Sequence, residues 1–357
     1  MSARRRTTPG SGPSFDALAH VAARLTERDR SLLIALAGQR VLTTPLLTEI
    51  GFNDENTARH RLAKLVAEAK VVRRFRPLAA TGSYPWHYVL TPLGAHLVAV
   101  LTGAEPEALR SRARRDADLA VMAGSAKLAH TLGTNAFYTS LVRAARLSGE
   151  RAELAWWRSE RDLTTASQYS LVPDGCGIWR QQVRTAAGSE VTTVLPFALE
   201  YDTGAEKHKV LTDKLDSYQR VLFNYQWDSD RSRMFGSGRV ADPATTVLFV
   251  FATPGREMNV RTSLIPYRAA NPPVEHGLPL PRVATAVHTL GADAAGPIRL
   301  PLPETGQRSS ATRLPLFRLG GVLPAAAPAP PEDPAEARRA SDRAMDAYFD
   351  DDEAEAA

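Results

Sequence analysis

The sequence predicts a multi-domain α/β protein, and three observations carry that expectation. Residues 21–100 alternate short amphipathic helix patterns with a hairpin pattern. Residues 126–302 string apolar, strand-sized runs between helix patterns in the order αβββαβ, which suits a mixed sheet. Between and beyond them the composition shifts, first to an Arg-rich helical pattern and then to a Pro/Ala-rich, acidic end. At 357 residues the chain is long enough to bury two separate cores.

Residues 1–20 contain "SARRRTTPG" and no apolar run, so they form a basic arm and not a signal peptide. From Thr26 the pattern turns helical: a capping residue, acids in the first turn, Leu32, Leu33 and Leu36 on one face, and Gly38 as terminator. "TTPLLTEIGF" follows, with Thr44 expected as N-cap, Pro45 at the first helical position and Gly51 at the end. A third helix is expected from Asn56 to Ala69. Its apolar face is Ala58, Leu62, Leu65, Val66 and Ala69, and Thr57, Arg59, His60, Arg61 and Lys64 lie mostly outside that face. "VVRRFRPLAATGSYPWHYVLT" then reads as two strands around a Gly/Ser/Pro turn. Three short helices and a hairpin make a winged helix-turn-helix over residues 21–100. The third helix would enter the major groove of DNA, and Arg73, Arg74 and Arg76 of the wing would lie on phosphates.

Residues 101–125 read as a basic helical connector, carrying Arg110, Arg112, Arg114 and Arg115. The second domain, 126–302, opens with a helix to about 147 and a strand at 152–160. A second strand is expected from near Leu171, a third at 192–202, a helix at about 206–226 and a fourth strand at 244–253. Two short strands, "RVATAVHTL" and "PIRLPL", follow among Pro-rich loops. Residues 303–357 read as a Pro/Ala-rich linker and a disordered acidic tail.

Charge narrows the class of partner. The net charge is +5, yet residues 331–357 alone carry −7. A basic body with an acidic tail points to a polyanion, with double-stranded DNA the first candidate. The single cysteine, Cys176, excludes a disulfide framework and a cysteine-based zinc site, which makes a cytoplasmic location the expectation. No run is long enough to span a membrane, so no membrane partner is expected. No glycine-rich phosphate loop signals a small-molecule cofactor.

The chemistry concentrates at two acidic strand ends. "LVPDG" ends in Asp174, and "FALEYDTGAE" carries Glu200 and Asp202. Between them "RTAAGSE" supplies a turn signal with Gly188 near its apex. Asp174 and Glu200 are equidistant from residue 187, so a hairpin centred there sets their carboxylates level. Strand periodicity puts Glu200 and Asp202 on one face and Tyr201 on the other. Converging carboxylates repel each other, and Mg²⁺ or Mn²⁺ relieves that repulsion. Such an ion polarises a phosphodiester and lowers the pKa of an attacking water. In the following helix Leu211, Leu215, Tyr218, Leu222 and Tyr225 form a buried stripe. Lys214 lies at its edge, and Lys207 one turn earlier is more exposed. Lys214 has two readings at this point: a site lysine, or a snorkelling surface residue.

The run "LVPDG…FALEYDTGAE…DKLDSYQ", after the winged helix and "LAHTLGTNAFYTSLVRAAR", resembles the replication-relaxation family of plasmids and integrative elements of actinobacteria and other Gram-positive bacteria. The resemblance covers about residues 20–255. It implies a role in plasmid replication or DNA relaxation, with replication or conjugation proteins as further partners. The second domain is also similar to the PD-(D/E)XK, restriction-endonuclease-like nucleases. That likeness implies Asp174 and Glu200 as metal ligands, with Glu160 as a further carboxylate. Those nucleases carry a lysine two residues after the glutamate, where this chain has Asp202. The catalytic set then reads Asp174, Glu200, Asp202 and Lys214, with Lys214 in the lysine's place. Two outcomes stay open: a metal-dependent endonuclease, or a non-catalytic initiator or transcriptional regulator on a degenerate nuclease fold.

Overall fold

The computed structural model describes residues 15–77, 82–116, 119–125, 127–166, 171–204, 206–223, 245–270, 282–303 and 312–323. Most of the basic arm, Tyr225, most of the Pro/Ala linker and the acidic tail lie outside these residues, as does the side chain of Leu222. The chain is mixed α/β and divides into two compact units, Met1–Arg143 and Ala144–Ala357. Among the described residues there are eleven α-helices and two sheets, of three and seven strands.

The first unit begins with α1 (Phe15–Ala22) and α2 (Glu27–Gln39). Thr26 and Asp29 form a capping box at the start of α2: the Thr26 side chain accepts from the Asp29 N–H, and Asp29 accepts from the Thr26 N–H. Gly38 does not end α2. The helix runs one residue further, and Arg40, at φ 67°, makes the turn. Strand β1 (Leu42–Thr43) leads into α3 (Thr44–Gly51), whose cap is Thr43, one residue before the one expected. Helix α4 (Glu55–Ala67) is capped by Asp54, which accepts from the Thr57 N–H at 2.9 Å. The hairpin β2 (Val72–Phe75) and β3 (His87–Leu90) pairs antiparallel, and β1 adds to the other edge of β3. Leu32, Leu33 and Leu36 of α2 pack with Leu46 and Leu47 of α3 and with Ala58, Leu62 and Leu65 of α4 in one buried core. Helices α5 (Pro92–Thr102), α6 (Pro106–Asp116) and α7 (Leu119–Ala123) follow, then the long α8 (Leu128–Leu147). The expected connector, 101–125, thus holds two helices, α6 and α7, before α8. Asn135 of α8 is buried because its amide donates to the carbonyls of Gln39 and Val41, at 3.0 and 2.7 Å, where α2 leaves acceptors without intrahelical donors.

The second unit is built on the seven-stranded sheet. Strands β4 (Ala152–Ser159), β5 (Gly175–Arg184) and β6 (Glu190–Asp202) run antiparallel in sequence. Helix α10 (His208–Phe223) crosses over to β7 (Thr246–Phe251), parallel to β6, and α11 (Pro254–Ala270) crosses to β8 (Arg282–Val287), parallel to β7. β9 (Arg299–Pro301) pairs with β8, and β10 (Gly321–Leu323) pairs with the N-terminal half of β6. β7 is buried along its whole length, as expected of an inner parallel strand. Leu211, Leu215 and Tyr218 of α10 and Val260 and Leu264 of α11 cover one sheet face, against Cys176, Ile178, Ala198, Val247 and Phe249.

Several features depart from the sequence expectation. The second strand begins at Gly175 and not near Leu171, because Pro173 has no N–H to give to a ladder. Helices α1 and α5, helix α9 (Glu160–Ala166) and helix α11 were not expected; α1 takes in residues 15–20 of the expected disordered arm, and β10 lies within the expected linker. Helix α11 carries an internal proline, Pro266, which masks its periodicity.

Candidate active site

The β5–β6 hairpin fixes the site. Its rungs run from Arg184↔Glu190 at the turn to Gly175↔Leu199 at the far end. Extending that register by one residue places Asp174 level with Glu200, as the position of the turn predicts. Gly188, at φ 83°, occupies the left-handed conformation that the tight turn demands. On the other side, the Glu160 N–H donates to the Asp174 carbonyl at 3.0 Å, so Glu160 is level with Asp174 too, although exposed. At Gly175 a Cβ would meet the Trp157 ring at 2.7 Å, so the chain next to Asp174 lies flat against that ring.

The two carboxylates are held from different sides. Asp174 is buried, and one of its oxygens accepts from the Tyr201 N–H at 2.7 Å. Glu200 is 2 % exposed and its Oε1 accepts from the Tyr218 hydroxyl at 2.7 Å. Lys214 Nζ lies 2.8 Å from Glu200 Oε2 and 3.2 Å from a Glu206 oxygen. Lys214 therefore reaches the acids from α10 and is not a surface snorkeller. Burial, and then the charge of Asp174, raises the Glu200 pKa to about 7, against the lowering effects of Lys214 and Tyr218. Burial pulls the Lys214 pKa down, but the charges of Glu200, Asp174 and Glu206 outweigh it and hold the ammonium above its ordinary value. Tyr218 is pushed well above its ordinary pKa by burial and by Glu200, so it stays a donor.

Asp202 faces a different partner. Its carboxylate meets Arg256 of α11 at 2.7 and 2.8 Å and accepts from the Gly204 N–H at 2.6 Å. Arg256 also donates to the Glu206 carbonyl. The two side chains thus hold Gly204 and Glu206, and Glu206 meets Lys214. Lys207 is exposed. Sequence reasoning missed Arg256, and took Tyr218 for core alone. The signal for Arg256 was present: Thr253–Pro254 is a helix-start pattern, and Thr253 does accept from the Arg256 N–H.

Glu200 and Glu206 pair with the Lys214 ammonium, and the charge of Asp174 also acts on it. Among the described residues no cluster of three or more His, Cys, Asp or Glu is placed to hold a metal.

The basic elements of the first unit differ in how free they are. Thr57 bonds back to Asp54, and Arg59 meets Glu55 at 2.5 Å on the exposed face of α4. Arg61 turns inward and pairs with Asp29, which is fully buried. His60 and Lys64 are exposed, as are Arg73, Arg74 and Arg76 of the hairpin.

Fold and site define a two-unit α/β protein with a carboxylate–lysine centre at a sheet rim. Comparison with known families narrows this: the model described as replication-relaxation matches residues 33–234, more than half of the chain. The protein belongs to that family, whose description is replication and relaxation. No curated protein and no solved structure matches the chain. Among the described residues, no helix is long and apolar enough to cross a membrane.

Proposed function

We propose that the chain is a DNA-binding protein of a plasmid or other mobile element, acting in its replication or transfer, which holds duplex DNA through a winged helix and cuts the phosphodiester backbone with a divalent cation. The element order α2–β1–α3–α4–β2–β3 is that of a winged helix-turn-helix, and the order β4–α9–β5–β6–α10–β7 of the second unit supports a PD-(D/E)XK-like core. The observation that carries the catalytic part is Lys214, 2.8 Å from Glu200 and within the field of Asp174. It supplies from α10 the positive charge that Asp202 cannot.

Asp174 and Glu200 would hold Mg²⁺ or Mn²⁺. When bound, the ion polarises the scissile phosphate and lowers the pKa of an attacking water. Tyr218 fixes one Glu200 oxygen and the Tyr201 N–H fixes Asp174, so neither carboxylate needs to reorganise. Lys214 stands ready to stabilise negative charge developing on phosphate oxygens, and Glu206 keeps it from swinging into solvent. Replication and conjugation proteins are the partners this role implies.

One observation favours a second reading, a non-catalytic initiator or regulator. Lys214 already pairs with Glu200, and Asp202 with Arg256, so two of the acidic side chains have cationic partners without an ion. Incubation of supercoiled plasmid with Mg²⁺ and Mn²⁺ separates the two. The endonuclease reading predicts nicked or linear product from wild type, reduced at least ~100-fold in Asp174→Ala, Glu200→Ala and Lys214→Ala. Wild type as inert as the variants, with DNA binding intact, supports the second.

A further inference from the structure

The arginines of the first unit differ in their partners. Arg24, Arg30, Arg40, Arg59, Arg61, Arg110 and Arg114 each pair with a carboxylate of that unit, while Arg28 lies over the Phe52 ring and Arg115 donates to Ser111. Arg73, Arg74 and Arg76 of the β2–β3 hairpin have no carboxylate partner among the described residues. Two of them are instead held on a ring: the guanidinium carbons of Arg74 and Arg76 lie 4.3 and 4.2 Å from the centroid of Trp86.

The register explains the arrangement. Arg74 pairs with Tyr88 and Phe75 with His87, so the next rung sets Arg76 level with Trp86. Arg74, two residues back, shares that face and meets the same ring on the diagonal. The ring is anchored: Trp86 packs against the first unit's core, and its carbonyl accepts from the Thr44 N–H at 2.9 Å. An arginine held in this way has less rotamer freedom to lose when it meets an anion.

We propose that the hairpin is the main phosphate-binding surface of the first unit, and that Trp86 is a positioning residue presenting Arg74 and Arg76 as a preset pair to the DNA backbone. This rests on the DNA-binding reading above and deepens it. Helix α4 contributes less charge than its sequence suggests, since Arg59 and Arg61 are engaged by Glu55 and Asp29.

The test is duplex-DNA affinity of the full chain across a salt series. Arg74→Gln and Arg76→Gln each flatten the slope of log affinity against log salt by about 0.9, one phosphate contact apiece. Arg59→Gln leaves the slope unchanged. Trp86→Leu weakens binding roughly fivefold at fixed salt but keeps the wild-type slope, because the contacts remain and only their preorganisation is lost. Trp86→Phe restores most of the affinity. The proposal is overturned if both arginine variants keep wild-type affinity and slope, or if a Trp86→Leu protein with an intact thermal transition binds as wild type does. Wild type that binds no duplex even at low salt overturns the DNA-binding reading itself, a distinguishable result.

Discussion

Individual side chains decide what the second unit can do, and several are ionisable groups placed where water does not reach. Tyr218 shows how a residue serves two ends: its ring fills the core beneath α10, and its hydroxyl grips Glu200. Its spacing in sequence reveals the first role and says nothing of the second. His288, just past β8, is a buried imidazole whose pKa burial and then the Arg299 charge lower to about 4. The folded state thus binds fewer protons than the unfolded chain between that value and the ordinary 6.5. Stability from keeping His288 neutral is present above pH 6.5 and is lost as pH falls toward 4. Urea unfolding of wild type beside His288→Asn is expected to show wild type losing on the order of 3 kcal/mol more than the variant over that window. Parallel stability curves would remove the argument.

Among the elements, the hairpin of β5 and β6 was the most legible. A turn signal at Gly188 between two strand patterns predicts a register, and that register is the one found. Helix α11 was the least legible, since Pro266 and scattered polar residues hide its buried positions, Val260, Arg261 and Leu264. With α11 went Arg256, and with Arg256 the reason Asp202 is turned from the site. Helix α4 shows a different limit. Arg59 and Arg61 both lie off its apolar stripe, yet one faces solvent and the other reaches Asp29 at the start of α2. No pattern within α4 separates them, because the partner is 32 residues away. Removing Arg61 leaves the buried Asp29 charge uncompensated, so Arg61→Ala is expected to cost about 3–5 kcal/mol. Arg59→Ala, which breaks an exposed pair on the helix surface, is expected to cost no more than about 0.5 kcal/mol. Equal losses in urea titrations would refute this assignment of the two arginines.

At the scale of the molecule, the α/β class and the strand order through β7 follow from composition and periodicity, since each unit carries enough apolar sequence for its own core. What charge counting could not give is how the charge is distributed among partners. Arg59 and Arg61 of α4 are neutralised locally, and three hairpin arginines are not. In the second unit Glu200 and Glu206 both pair with Lys214, and the charge of Asp174 acts on the same ammonium. The proposed endonuclease reading needs an ion at Asp174 and Glu200. Calorimetric titration of the metal-free protein with Mn²⁺ addresses it directly, alongside Asp174→Asn and Glu200→Gln. One bound ion per chain in wild type, and none in either variant while both retain their folded transitions, is the predicted result. Wild type that takes up no ion, or variants that bind it as well as wild type, would contradict the account.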